Sequence, residues 1–302
     1  MNVAVYGAGQ AGTAVAALLR ARAGITVHGP FGRDRREAAL AGGADVVVIA
    51  TTSFLDAIAP DVREAVEAGA NVLTTAEEAA YPWAVDAALA DELDALARAR
   101  GVTILGAGLN PGLAFDALVL TVAGAVAEVR SLRVERRVDL SGFSRAVLHR
   151  IGIGHAPETF ATATGHIGFP QSMHVVAARL GVGLERIDRE LVPVVAERAH
   201  AARHLTVRPG ETAGFEQRYV GVAGGRPWFE AVFTGHVEPG SAGWAPRDSI
   251  HVDADPPLDL VIAPGIGAQT GSAAVLANSV RRVAAAPAGW LTVADLPPAA
   301  PG

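Results

Sequence analysis

The apolar positions of the first hundred residues fall in short unbroken runs separated by stretches of helical spacing. Residues 2–6 (NVAVY), 25–29 (ITVHG), 44–53 (ADVVVIATTS), 71–75 (NVLTT) and the run opening at Val102 (VTILGAG) are bounded by Gly, Pro or polar clusters. Runs without alternation suit strands buried on both faces of a parallel sheet. Between them, 13–24 reads as a helix ending at Gly24, 55–69 as a second, and 84–100 as a third ending at Gly101. This alternation with short connections predicts an α/β chain that begins as a doubly wound parallel sheet. After Pro111-Gly112 the rhythm changes. Segments 130–140 and 215–237 alternate as strands do, 174–180 and 194–204 read as helices, 268–288 as a final helix and 295–302 as an irregular tail.

The first strand runs straight into Gly7-Ala8-Gly9-Gln10-Ala11-Gly12, and a helix follows. In a GxGxxG at that position Gly7 permits the tight turn, Gly9 admits a pyrophosphate close to the backbone, and Gly12 lets helix and strand pack. Gln10 and Ala11 add N–H donors at the helix N-terminus. The prediction is an N-terminal Rossmann domain over 1–115, with 268–302 packing back on it. A second α+β domain with a mixed or antiparallel sheet would occupy 116–267. An NAD site places an acid at the tip of the second strand. Here the strand ends in Val27-His28-Gly29-Pro30, and Phe31-Gly32-Arg33-Asp34-Arg35-Arg36 follows, so no acid occupies the tip and three arginines lie within a few residues of it. Arg33 first, then Arg36, are the candidates for a 2′-phosphate, so NADP(H) is preferred and NAD(H) is the alternative.

Composition narrows the chemistry. The 302 residues are 50% hydrophobic and 19% charged, enough for buried cores, and the net charge of −6 argues against a nucleic-acid partner. There is no cysteine, and all 25 basic residues are arginine. Thiolate nucleophiles, Schiff bases, the P-loop lysine and lysine general acids are therefore excluded. No HExxH or EF-hand pattern occurs, so no metal site is expected. Met1 leads into an apolar run without a basic n-region, and no run is long enough to span a membrane, so the chain reads as cytoplasmic.

Proton transfer falls to the remaining side chains. Open α/β sheets bind ligands beyond the carboxyl ends of their strands. Those ends carry Thr51-Thr52-Ser53, Glu77-Glu78 and the loop Leu109-Asn110-Pro111-Gly112. Only the second has acids, either of which would serve as acid or base or simply start the next helix. Asn110 would orient a nicotinamide carboxamide, and the Thr51–Ser53 turn would line the cofactor. Arg136 and Arg137 sit on a strand-like run, so one faces inward, to read a carboxylate or to form an ion pair between the domains. His166 lies in a loop-like stretch, Gly165–Pro170. Phe115, Arg136, Val138 and His166 are the candidate substrate-binding residues.

Several strings then fall in order along nearly the whole chain. They are Ala50-Thr51-Thr52-Ser53-Phe54, Ala76-Glu77-Glu78 with Ala80-Tyr81-Pro82, Gly108–Gly112, Asp139-Leu140-Ser141, Gly165–Pro170, Pro209-Gly210 with Ala213-Gly214, and Asp295-Leu296-Pro297. Together they resemble the 2,4-diaminopentanoate dehydrogenases and the related native amine dehydrogenases, with a two-domain fold like that of dihydrodipicolinate reductase. The resemblance implies NAD(P)-dependent interconversion of a primary amine with a ketone or aldehyde plus ammonia. It implies a substrate-facing glutamate, Glu77 or Glu78, and a homodimer formed through the second domain. Two departures stand out. The second strand's tip is Arg-rich, and Val138 is apolar where a polar pocket residue is expected, which suits a plain amine or ketone better than an amino acid. An imine or carbonyl reductase working without ammonia, or a non-catalytic NADP-binding regulator, are the competing readings.

Overall fold

The computed structural model describes residues 1–160 and 167–301, which divide into two compact units. Met1–Leu120, Pro170–Gly181 and Gly267–Gly302 form the first unit, and Thr121–Phe169 with Val182–Ile266 form the second. The segment Pro170–Gly181 thus clusters with the first unit, whereas its place in sequence put it with the second.

The first unit is built on β1 (Asn2–Tyr6), β2 (Thr26–Phe31), β3 (Val46–Ile49), β4 (Asn71–Thr74) and β5 (Thr103–Gly106). All pair in parallel, in the spatial order β5-β4-β3-β1-β2, and Gly289–Leu291 adds a sixth parallel strand beside β5. Order reverses between β1 and β3, the crevice where doubly wound sheets hold ligands. Every residue of β3 is buried, as its unbroken apolar run requires. Alternate strand residues feed two cores. Val3, Val5, Val46, Val48, Leu73 and Leu105 meet the helices Gln10–Arg20 and Ala268–Ala284 on one face. Ala4, Tyr6, Val47, Ile49, Val72 and Ile104 meet Leu55–Glu67 and Ala87–Arg100 on the other. The last of these starts where Asp86 accepts from Leu89 N–H at 3.0 Å, and it stops at Gly101, which adopts φ +69°.

The second unit is a mixed sheet. Its strands are β6 (Ser131–Asp139), β7 (Arg186–Val195), β10 (Thr212–Ala223), β11 (Arg226–His236), β12 (Arg247–Asp253) and β13 (Leu258–Ile262). A two-residue ladder of β8 (His200–Ala201) and β9 (Thr206–Val207) stands apart. The order is β13-β12-β6-β11-β10-β7, with only β6 and β11 parallel.

Two expectations change, and one element has no sequence signal. The first helix starts at Gln10, inside the glycine motif, and ends at Arg20. Segment 194–204 is not helical: the end of β7 and the two residues of β8 occupy it. Val192, Pro193, Val194 and Val195 are a β-branched run interrupted by proline, tolerated because β7 is an edge strand. The strand Gly289–Leu291 is too short to signal itself. No helix among the described residues is long and apolar enough to cross a membrane.

Candidate active site

The glycine loop closes tightly. Gly7 adopts φ +122° and a Cβ there would lie 2.2 Å from Ala50 O; one on Gly12 would lie 1.9 Å from Gly7 O. Gly9 is different: a Cβ would meet nothing within 4 Å. Ala8, Gly9, Gln10 and Ala11 are exposed, and the helix they open has neither a side-chain cap nor an acid in its first turn. Its first N–H groups are thus presented outward, the arrangement that receives a phosphate. The Gln10 side chain is paired with Gln269 of the C-terminal helix in both directions.

At the tip of β2 the arginines part. Arg36 turns to the helix Leu55–Glu67, where Asp61 holds its Nε at 2.6 Å and Glu64 takes a second nitrogen. That ion pair is what the structure gives Arg36. Arg35 lies over the Phe31 ring at 5.1 Å. Arg33 is exposed and has no ion pair among the described residues.

The carboxyl ends of β3, β4 and β5 bring the other candidates together. Thr51, Thr52 and Ser53 follow β3 and are partly buried, and Thr51 Oγ1 is buried without a partner. Glu77 and Glu78 open a short 3-10 turn after β4, pressed against Gly106 of β5 so closely that a Cβ there would lie 2.3 Å from Ala79 C. The two glutamates differ. Glu78 accepts from Leu55 N–H at 2.6 Å and its own N–H donates to Ser53 O at 3.2 Å, so it caps the helix after β3. Glu77 is partly buried beside it. After β5, Asn110 is buried, and its Nδ2 has no partner. Asp116 and Ser172, which no motif singled out, stand behind it. The one sequence signal for Asp116 is an isolated acid in an otherwise apolar run, AFDALVL. Phe115 is fully buried next to it. On the same unit Tyr81 stacks on His174, ring centroids 5.4 Å apart, and burial pushes the His174 imidazole down.

The second unit's sheet has one buried face. On β6 it carries Leu132, Val134, Arg136 and Val138, so Arg136 is the inward arginine and Arg137 pairs with Glu135 at 2.7 Å. Both partners that the structure gives Arg136 lie in the second unit. Its Nε lies 3.2 Å from Asp248 Oδ1 and a second nitrogen donates to Ile266 O at 2.7 Å, while Nη1 is buried unpartnered. Burial lowers Arg136 and raises Asp248 from their ordinary values, each restrained by the other's charge. Phe215 and Phe233 stack 5.5 Å apart on this unit, and Phe233 is the β11 residue opposite Arg136. His166 lies outside the described residues. Among those described, no cluster of three or more His, Asp or Glu has the geometry of a metal site.

Comparison with known proteins decides the family. Residues 113–301 match the model of the 2,4-diaminopentanoate dehydrogenase C-terminal domain. A 2,4-diaminopentanoate dehydrogenase from Acetoanaerobium sticklandii is 30% identical, over 98% of this chain and 93% of its own length. The chain belongs to the 2,4-diaminopentanoate dehydrogenase family. It is therefore an NAD(P)-dependent oxidoreductase acting on amine donors. The fold agrees. An amine dehydrogenase from Mycobacterium smegmatis superposes with a TM-score of 0.84 at 22% identity, over 100% of this chain and 97% of that one. An engineered D-amino acid dehydrogenase bound to NADP+ gives 0.52 at 16%, over 98% and 94%. For the family's nicotinamide dinucleotide the first unit offers fitting groups: the open side of Gly9 and the unpartnered Thr51 Oγ1 and Asn110 Nδ2.

Proposed function

We propose that this chain catalyses reductive amination of a small ketone or aldehyde with ammonia, and the reverse oxidative deamination. NADP(H) would be preferred over NAD(H), and Glu77 would be the acid and base. The observation that carries the reading is the division of labour in the glutamate pair. Glu78 is committed to the N-terminus of the helix Leu55–Glu67, and Glu77, partly buried at the carboxyl edge of the sheet, is the one we assign to proton transfer. The bound dinucleotide supplies or accepts the hydride. Glu77 takes a proton from the nitrogen as it attacks the carbonyl carbon and passes it to the carbonyl oxygen; a second proton, taken from solvent through Glu77, carries that oxygen off as water and leaves the carboxylate facing the iminium with negative charge. Carbonyl, ammonia, NADPH and one proton go in; amine, water and NADP+ come out.

The substrate reading favours a plain amine. Arg136 is balanced by Asp248 within its own sheet, and Val138 beside it on β6 is apolar. The preference for the phosphorylated cofactor rests on Arg33, exposed just past the end of β2, whose own residues Thr26–Phe31 include no acid. We place the substrate and the contact between copies in a homodimer on the second unit. The opposite face of its sheet is lined by Arg133, Glu135, Arg137, Arg218 and Glu230, and Val192 and Val194 are exposed on its edge. A cytoplasmic setting completes the reading.

Glu77→Gln should lower kcat about 10²- to 10⁴-fold, the range for losing a general acid–base group, while NADP+ still binds. Glu78→Gln should keep turnover within a few-fold and lower the melting temperature, costing about 1 kcal/mol of capping energy. Steady-state kinetics with thermal melts check both. Full activity in Glu77→Gln would end the assignment.

A further inference from the structure

Asp116 is a buried carboxyl to which the chemistry above gives no part. It is 0% exposed. Its Oδ2 accepts from Gly112 N–H at 2.7 Å and lies 2.9 Å from Ser172 Oγ, and its Oδ1 accepts from Ala117 N–H at 2.7 Å. Burial pushes the carboxyl above the ordinary carboxylate range, against the pull of these hydrogen bonds. Ser172, also 0% exposed, comes from the helix Phe169–Arg179, and its Oγ lies 3.4 Å from Asn110 Oδ1. The turn between Gly108 and Gly112 is closed tightly, since a Cβ on Gly112 would lie 2.3 Å from Gly108 N, and Asp116 holds its last residue.

The hydrogens can be counted. The Ser172 hydroxyl has one hydrogen and two neighbouring oxygens, on Asp116 and on Asn110. Ser172 Oγ donates to Asp116 Oδ2 and, at longer range, to Asn110 Oδ1, so one shared hydrogen ties the amide oxygen to the buried carboxyl. The Asn110 oxygen is thereby turned toward Ser172. What remains of that amide is Nδ2, buried, unpartnered and able only to donate.

We propose that Asp116 and Ser172 are positioning residues that hold the Asn110 amide so that Nδ2 donates to the carboxamide oxygen of a bound nicotinamide. The inference rests on the cofactor reading and adds the device that fixes the reactive ring. An orphaned donor costs about as much as a lost hydrogen bond until a ligand accepts from it, so the site is built for an acceptor at that point.

The test compares two probes that differ only in the nicotinamide, NADP+ and 2′-phospho-ADP-ribose, by titration calorimetry. Ser172→Ala should weaken NADP+ about tenfold, the scale of one aligned hydrogen bond, and leave 2′-phospho-ADP-ribose unchanged. Ser172→Thr, which keeps the hydroxyl, should restore most of the loss. Asn110→Ala should weaken NADP+ as well, and adding Ser172→Ala to it should cost nothing further, because the serine acts through the amide. Equal weakening of both probes, additive losses, or unchanged NADP+ affinity in Ser172→Ala would overturn the proposal. If the wild-type protein binds neither probe, the cofactor reading falls, and this inference with it. If it binds both and Ser172→Ala changes neither, only the inference falls.

Discussion

Neighbouring residues of the same type have been given different work, and the difference comes from contacts far away in sequence. Glu77 and Glu78 were equivalent in the chain, because nothing local says that Glu78 reaches Leu55 N–H, 23 positions back. Arg36 stands second to Arg33 as a phosphate candidate in the sequence, and in the structure Asp61 and Glu64 hold it. Arg33→Ala should therefore raise the KM for NADPH about tenfold, one charge-assisted hydrogen bond, and leave that for NADH nearly unchanged; steady-state kinetics with both cofactors decide it. Equal effects on the two would place the 2′-phosphate elsewhere. The glycines divide in the same way. Gly12→Ala forces a Cβ to 1.9 Å from Gly7 O, and should cost about 1–3 kcal/mol of stability. Gly9→Ala adds its methyl to open space, at a φ of −76° that any residue adopts. It should melt as the wild type does while binding NADPH more weakly, which calorimetric titration beside a thermal melt would check.

The elements most legible in the sequence were those whose burial is decided by neighbours along the chain. The run 46–49 is apolar at every position and is buried at every position. The helix Ala87–Arg100 carries its own start and stop in Asp86 and Gly101. The edge strand β7 was harder, because its outer residues stay exposed and its pairing with β10 is distant, so 194–204 passed for a helix. Asp116 and Ser172 show the same limit at the site, 56 positions apart and joined only by the fold. The start of β8 carries one member of a histidine pair. His200 at the start of β8 and His236 at the end of β11 are both buried, with ring centroids 5.3 Å apart. His200 Nδ1 lies 2.6 Å from Glu238, which Arg198 also holds, and His236 Nδ1 accepts from Glu238 N–H. Burial, helped by His200 and Arg198, lowers the His236 imidazole. A base with a lowered folded pKa binds fewer protons folded than unfolded, so its contribution is present above about 6.5, the unfolded value. It is lost as pH falls below that value. His236→Asn keeps an acceptor for Glu238 N–H and cannot titrate. Its melting temperature should fall less than the wild type's between pH 7 and pH 5, and an unchanged pH dependence would show that His236 contributes nothing to it.

The whole chain joins a parallel-sheet unit carrying the dinucleotide signature to a mixed-sheet unit with a buried, largely apolar face. Membership of the 2,4-diaminopentanoate dehydrogenase family supplies the class of reaction. The pairing of Arg136 with Asp248 and the apolar Val138 turn the substrate reading toward plain amines. The most direct measurement is NADPH oxidation with a panel of small ketones and aldehydes, with and without ammonium, at mildly alkaline pH. Turnover is expected only when carbonyl and ammonium are both present, with an amine as product. Equal turnover without ammonium would make the enzyme a carbonyl or imine reductase. No turnover with NADPH bound would contradict the catalytic reading altogether.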